Sequence, residues 1–345
     1  MRFHFTEEDE PTRVRAADMR AALAAHHHEV THAGMRDAPP SDASVWLHGL
    51  GWNGTLPFAE PRGLSAFGGK IVLFQTCDHE TMHFERIPAW LTARARLFLR
   101  NHWPADLSLV PEHARERLGF LPPMLRPFAP RRGRELAQRS IGSMFFGTRT
   151  GQHYRLADGR TPREATVAMM RSSGLPFEGG ILPHTEPVYQ GDPSLTVPKL
   201  SAREHARRLA DARLCLAPWG NHPLSYRFFE GLACRCLVLA QSLRSARFID
   251  GGLTPGVHYV EIAPDLSDLV EKARHYLAHL DEAQRIADAG HAQYARYLAS
   301  SGRLPSEHCY TEAVRSWGAL MPPVASPTPV SRLRALIARA APTML

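Results

Sequence analysis

The sequence predicts an α/β fold built from two Rossmann-like domains. Three observations carry this. The chain has 345 residues, a length that suits two cores better than one. Strand-like and helix-like runs alternate, as they do around parallel sheets. Near the middle, residues 121–133 (LPPMLRPFAPRRG) hold four prolines and three arginines, a composition that stops both helix and sheet. The expected domains are therefore residues 1–133 and 134–304, followed by a helix and tail over 305–345.

In chain order, residues 1–5 read as a first strand and 15–28 as an Ala-rich helix. A short apolar strand over 44–47 runs into a Gly-rich turn, 48–54. Residues 70–75 (KIVLFQ) are the clearest strand of the first half. Residues 94–100 (RARLFLR) mix charged and apolar side chains, as a half-exposed strand does. The second half opens with a strand over 143–146 and a helix over 161–172, with Pro162 in its first turn. A helix over 202–210 leads to a strand over 214–217, and a helix over 226–234 leads to a strand over 237–240. Residues 266–278, 282–298 and 305–320 read as the closing helices. This order fits two Rossmann-like halves with a cleft between them.

Composition narrows the function. The formal charge is +7, from 41 basic and 34 acidic residues. That excess suits an anionic ligand, a nucleic acid or an anionic membrane surface, or it is an Arg-rich composition with no specific partner. No aromatic–basic motif of a nucleic-acid reader accompanies it. The five cysteines are odd in number and several lie in apolar runs, the pattern of buried, reduced thiols. Cys234 and Cys236 have no second pair to complete a zinc site. The N-terminus lacks a signal-peptide core, and no run reaches the roughly 20 apolar residues of a spanning helix. A cytoplasmic protein is expected, soluble or peripheral at the inner face of a membrane.

The most informative segment is 214–241 (LCLAPWGNHPLSYRFFEGLACRCLVLAQ), read as strand, Gly-containing loop, helix and strand. The loop starting at Pro218 lies at the carboxyl end of a strand, where α/β sheets bind ligands. Ser225 and Tyr226 open the helix, whose free N–H groups and partial positive charge suit a diphosphate. Arg227, in the first turn, can hold phosphate oxygens through two parallel bonds. Glu230, about a turn further on, can accept hydrogen bonds from ribose or sugar hydroxyls. The competing local reading is an ordinary helix in which Arg227 and Glu230 are paired or solvated.

The run SYRFFEGLACRCLVLA resembles the donor-site segment of exostosin-like transferases and of glycosyltransferase family 90. The resemblance continues through 253–260 (LTPGVHYV), 265–270 (DLSDLV) and 281–290 (DEAQRIADAG), and covers roughly residues 140–310. Residues 145–151 (FFGTRTG), with Arg163 after them, resemble the strand and loop that open that family's second domain. The likeness implies a GT-B fold, an inverting transfer, and a donor that is usually a UDP-sugar, such as UDP-glucose or UDP-xylose. Carried over by position, Arg149 and Arg227 would face the diphosphate, with Gly147, Thr148, Pro218, Ser225, Tyr226 and Glu230 lining the pocket and Arg163 near it. Two positions depart from the pattern. Arg235 stands where related enzymes usually carry a small residue, often Gly. His222 stands where a retaining GT-B family carries the first Glu of a Glu-x7-Glu pair, which leaves Glu230 alone.

An inverting transfer needs a base for the acceptor hydroxyl. Asp78, in FQTCDHE just past the strand 70–75, is the first candidate, with His79 and Glu80 behind it. The alternative is that Asp78 caps the next helix. Two HExxH matches, HEVTH at 28–32 and HETMH at 79–83, raise zinc. Nineteen histidines make coincidence easy, and neither match carries the further metzincin residues. No Asp-x-Asp motif is present, so no metal and no cofactor are expected, and arginines with the helix N-terminus would stabilise the leaving diphosphate. Residues 330–340 (VSRLRALIARA) have helical apolar spacing with arginines mostly elsewhere on the wheel. They read as a basic amphipathic helix for an anionic membrane, a helix packed on the protein, or a frayed tail.

The function expected is a glycosyltransferase with a nucleotide-sugar donor. Its acceptor would be a hydroxyl on a glycan, lipid-linked glycan or protein, with a surface polysaccharide or lipopolysaccharide as the candidates. The alternatives are a non-catalytic GT-B nucleotide- or glycan-binding protein, a sugar-nucleotide epimerase and, on the HExxH matches alone, a zinc hydrolase.

Overall fold

A computed structural model of the chain describes residues 2–7, 16–17, 19–20, 23–24, 29–33, 40, 42–43, 45–50, 67–75, 94–100, 110 and 112–120. It also describes 134–243 without 153 and 186, and 252–299. These residues fall into two compact units divided between Met124 and Leu125.

The first unit holds a six-stranded, wholly parallel sheet: β1 (Arg2–Glu7), β2 (Glu29–Ala33), β3 (Val45–Leu50), β4 (Lys70–Gln75), β5 (Ala95–Arg100) and β6 (Leu118–Phe120), in the order β2-β1-β3-β4-β5-β6. A short helix, α1 (Glu112–Arg115), precedes β6. Alternation along the strands sorts the faces. Phe3, Phe5, Val45, Leu47, Val72 and Phe74 form one cluster with Ala16, Met19 and Leu23. The last three lie at helical spacing, and the described positions around them are helical. His4 and Thr6 point to the opposite face. There His4 bonds Thr31, and Thr6 accepts from Trp46 Nε1 at 2.9 Å.

Strand β2 takes in residues 29–32 of the first HExxH match. Its β-branched Val30 and Thr31 pair in register with Phe3 and His4. Glu29 and His32 of the first HExxH match therefore lie on a strand, not on the helix that this geometry requires. The second match, 79–83, lies outside the described residues, as do 305–320 and 330–340.

The second unit contains β7 (Ile141–Thr148), α2 (Pro162–Ser172), β8 (Phe177–Leu182), α3 (Ala202–Leu209), β9 (Ala212–Ala217), α4 (Tyr226–Ala233), β10 (Leu237–Gln241), β11 (Val260–Ile262), α5 (Leu269–Ala278) and α6 (Leu280–Ala299). Its sheet is also wholly parallel, in the order β11-β10-β9-β7-β8. Both faces are covered, which explains the near-continuous apolar strands. Met144, Phe146, Cys215, Ala217, Val238 and Ala240 face Phe228 and Leu232 of α4 and Tyr294 of α6. Their neighbours Phe145, Leu214, Leu216, Leu237 and Leu239 face Ala165 and Met170 of α2 and Leu269 and Ala273 of α5. At the sheet's other end the fully buried Arg139 donates to the carbonyls of Arg134, Ala212 and Cys234 at 2.8, 2.8 and 3.0 Å. It ties the entry of β7 to β9 and to the end of α4. Cys215, Cys234 and Cys236 are buried and free. No described helix is long and apolar enough to cross a membrane.

Arg235, just past α4, has φ 53°, the left-handed region that a glycine occupies without strain. Its side chain compensates: Nε and Nη2 donate to Asp288 Oδ1 at 2.9 and 2.5 Å. Arg235→Ala and Arg235→Gly both lose this ion pair, but only Gly relieves the backbone. The Gly variant should be the more stable of the two by about 1 kcal/mol in urea unfolding. Equal midpoints would contradict the strain.

Candidate functional site

The order of the second sheet places its topological switch point between β7 and β9. From β7 the chain steps to β8 on one side, then returns across to β9 on the other. Crevices outside the carboxyl ends of strands at such a point are where open α/β sheets bind ligands. The two loops leaving these strands are 149–151 and 218–225.

They meet in direct backbone contact. Gly151 has φ +88°, and a β-carbon on it would lie 2.8 Å from the Gly220 carbonyl oxygen. One on Gly220 would collide with the Arg163 guanidinium and sit 2.9 Å from Thr150 Oγ1. Asn221 Oδ1 accepts from the Gly151 amide at 3.0 Å. Gln241, buried at the end of β10, completes the frame by accepting from Trp219 N at 2.8 Å and donating to the Pro264 carbonyl. Tyr154 packs on Trp219 with ring centroids 4.9 Å apart.

The structure gathers Gly147, Thr148, Arg149 and Arg163 on the β7 side. Arg163, in the first turn of α2, donates from Nη1 to the Thr148 carbonyl at 3.1 Å. Arg149 follows the last residue of β7 and donates from Nε to Glu164 Oε1 at 2.7 Å, with 18% of its side chain exposed. Glu164 is buried. Its other oxygen accepts from the amide and hydroxyl of Thr161, each at 3.0 Å, in the capping box that starts α2.

On the β9 side lie Pro218, Ser225, Tyr226, Arg227 and Glu230. Pro218 is buried, and Tyr226 is half exposed at the first position of α4. Helix α4, like α5, has no side-chain cap, but unlike α2, α3 and α5 its first turn also holds no acidic residue. Its N-cap hydroxyl, Ser225 Oγ, is buried with no hydrogen-bond partner. Uncapped N–H groups with the positive end of the helix dipole favour an anion. Arg227 is turned inward. Its Nη2 donates to the Phe146 carbonyl at 2.6 Å, and its Nη1 reaches Glu230 Oε2 at 2.5 Å and His205 Nε2. This is the paired geometry set against phosphate contact in the sequence reading. Asp78, His79 and Glu80 lie outside the described residues.

Sequence reasoning missed Glu164, Asn221, Gln241 and His205. The Thr161-x-x-Glu164 spacing is a legible capping-box signal; the contacts of the other three join residues 22 to 70 positions apart and leave no local trace.

Burial and the Arg227 charge push the His205 imidazole down to about 3. The unfolded chain takes that proton near pH 6.5. Between these values the unfolded state binds more protons, so this stability is complete above pH 6.5 and is lost as pH falls toward 3. His205→Gln keeps an acceptor for Arg227 without titrating. Its melting temperature should fall less steeply between pH 7 and 4 than that of the unsubstituted protein; parallel slopes would contradict the assignment.

Residues 178–304, spanning β8 to α6, match the family model described as glycosyl transferase-like. No curated protein matches the chain. Solved structures similar to it include a sucrose-phosphate synthase from Thermosynechococcus elongatus, with TM-score 0.56 and 11% identity, covering 93% of this chain and 99% of that one. HepE of Anabaena, solved in complex with UDP, gives 0.53 and 11%, covering 92% and 100%. A glycosyltransferase from Rickettsia africae gives 0.55 and 8%, covering 94% and 99%. At these identities the likeness establishes the fold: two Rossmann-like domains of the GT-B type.

Proposed function

We propose that this chain is a glycosyltransferase that takes its sugar from a nucleotide-sugar held at the β7–β9 switch point. One coincidence carries the proposal: the uncapped, acid-free start of α4, with its unpartnered Ser225 hydroxyl, lies at the switch point of a glycosyl transferase-like segment. The diphosphate lies against the amides of Ser225 and Tyr226, with Arg149 and Arg163 supplying the positive charge from the β7 side. Arg227 acts by fixing α4 to β7 and by setting Glu230.

The finer reading follows from the resemblance to glycosyltransferase family 90. The donor is a UDP-sugar, the acceptor is a hydroxyl on a glycan, lipid-linked glycan or protein, and configuration inverts. The acceptor oxygen bonds to the anomeric carbon, the bond from that carbon to the phosphate oxygen breaks, and UDP departs with the electron pair. Asp78 takes the hydroxyl proton. UDP in the HepE structure is consistent with the donor class.

Arg235, a departure from the family pattern, is the one feature that would favour the non-catalytic alternative. That residue sits past the far end of the eight-residue α4, roughly 12 Å along the helix from its start, and bonds Asp288. Its departure from glycine is a matter of the turn, and favours neither reading.

A UDP-release assay across a panel of UDP-sugars, with and without candidate acceptors, tests the activity. Acceptor-stimulated release supports transfer; interconversion of the sugar without release would indicate an epimerase. Arg163→Ala should weaken UDP binding roughly 10- to 100-fold in calorimetry, and unchanged affinity would remove it from the site. Asp78→Asn should keep UDP binding and lower kcat by roughly 10²–10⁴-fold; a fully active variant would leave Asp78 as a cap. Because arginines and a helix dipole supply the charge, activity should persist in EDTA. Loss restored by Mn²⁺, Mg²⁺ or Zn²⁺ would contradict this.

A further inference from the structure

We propose that Glu164 is a built-in counter-anion that weakens the hold of Arg149 on the departing nucleoside diphosphate. The inference rests on the donor site proposed above. Glu164 is 5% exposed, and its carboxylate is fixed by three donors: Arg149 Nε, Thr161 N and Thr161 Oγ1. It cannot swing away when an anion arrives, because those bonds also hold the first turn of α2. Arg149 leaves β7 at the switch point, beside the loop that contacts Gly220. A phosphate on that side therefore meets Arg149 with a negative charge locked directly behind it.

Coulomb repulsion scales with the charge of the ligand. A nucleoside diphosphate carries more negative charge than the nucleotide-sugar it comes from, and the free nucleoside carries none. The carboxylate thus penalises product more than donor, which favours release after transfer. Glu164 touches no substrate in this scheme; it is a positioning residue acting through Arg149.

Glu164→Gln separates charge from structure, since Gln at this position also closes a capping box. Calorimetry should show UDP binding roughly five- to tenfold tighter in the variant, with uridine affinity unchanged. Glu164→Ala, which loses the cap and melts lower, should tighten UDP relative to uridine in the same direction and serves if the Gln variant folds poorly. A UDP-to-uridine affinity ratio unchanged from the unsubstituted protein in both variants, or shifted toward uridine, would overturn the role of Glu164 alone. If the unsubstituted protein binds UDP no more tightly than uridine, the diphosphate site itself is wrong, and this inference falls with it.

Discussion

Two backbones approach at the carboxyl ends of β7 and β9 with no room for a β-carbon between them, and the candidate site depends on that contact. Gly151 and Gly220 set the separation of the loops, Asn221 locks it, and Arg163 fills the space beside Gly220. A side chain at Gly151 would press on the Gly220 backbone and part the two loops, and one at Gly220 would displace the Arg163 guanidinium. Strand order places the crevice, and these two glycines let the loops on its two sides meet.

Electrostatics then divides the labour among five charged groups. Arg149, just past β7, and Arg227, in the first turn of α4, each carry a carboxylate partner, Glu164 and Glu230. A guanidinium drawn out of water needs a carboxylate, as here, or a set of backbone carbonyls, as at Arg139, because desolvation of an unpaired charge costs several kcal/mol. Arg163 instead donates to a backbone carbonyl of β7. The site is therefore positive in balance without holding a row of uncompensated cations, and the helix dipole of α4 adds to it without any titratable group.

Much of this was legible in the sequence where burial on both faces leaves an unmistakable apolar run. KIVLFQ is β4 residue for residue, and the strand–loop–helix–strand order of 214–241 is as the apolar pattern and loop residues predict. Strand β8 was not legible: FEGGIL carries two glycines and a glutamate, and its place in the sheet comes from pairing with β7, where Gly179 lies opposite Phe145. Strand β2 was hidden by the alanines before it and β6 by its three-residue length. At the site, a helix-start signal identified Ser225 to Arg227 as a group, but the direction in which Arg227 points was not readable. It is decided by the carbonyl of Phe146, 81 positions away.

Hydrogen exchange on the full chain, with and without UDP, tests the central claim most directly, since it asks which amides the nucleotide covers. UDP should slow exchange in 149–151 and across 218–227, with the largest change at the first turn of α4, and leave the α5 and α6 amides as they were. Tight UDP binding that protects other segments and leaves the start of α4 unchanged would contradict the account.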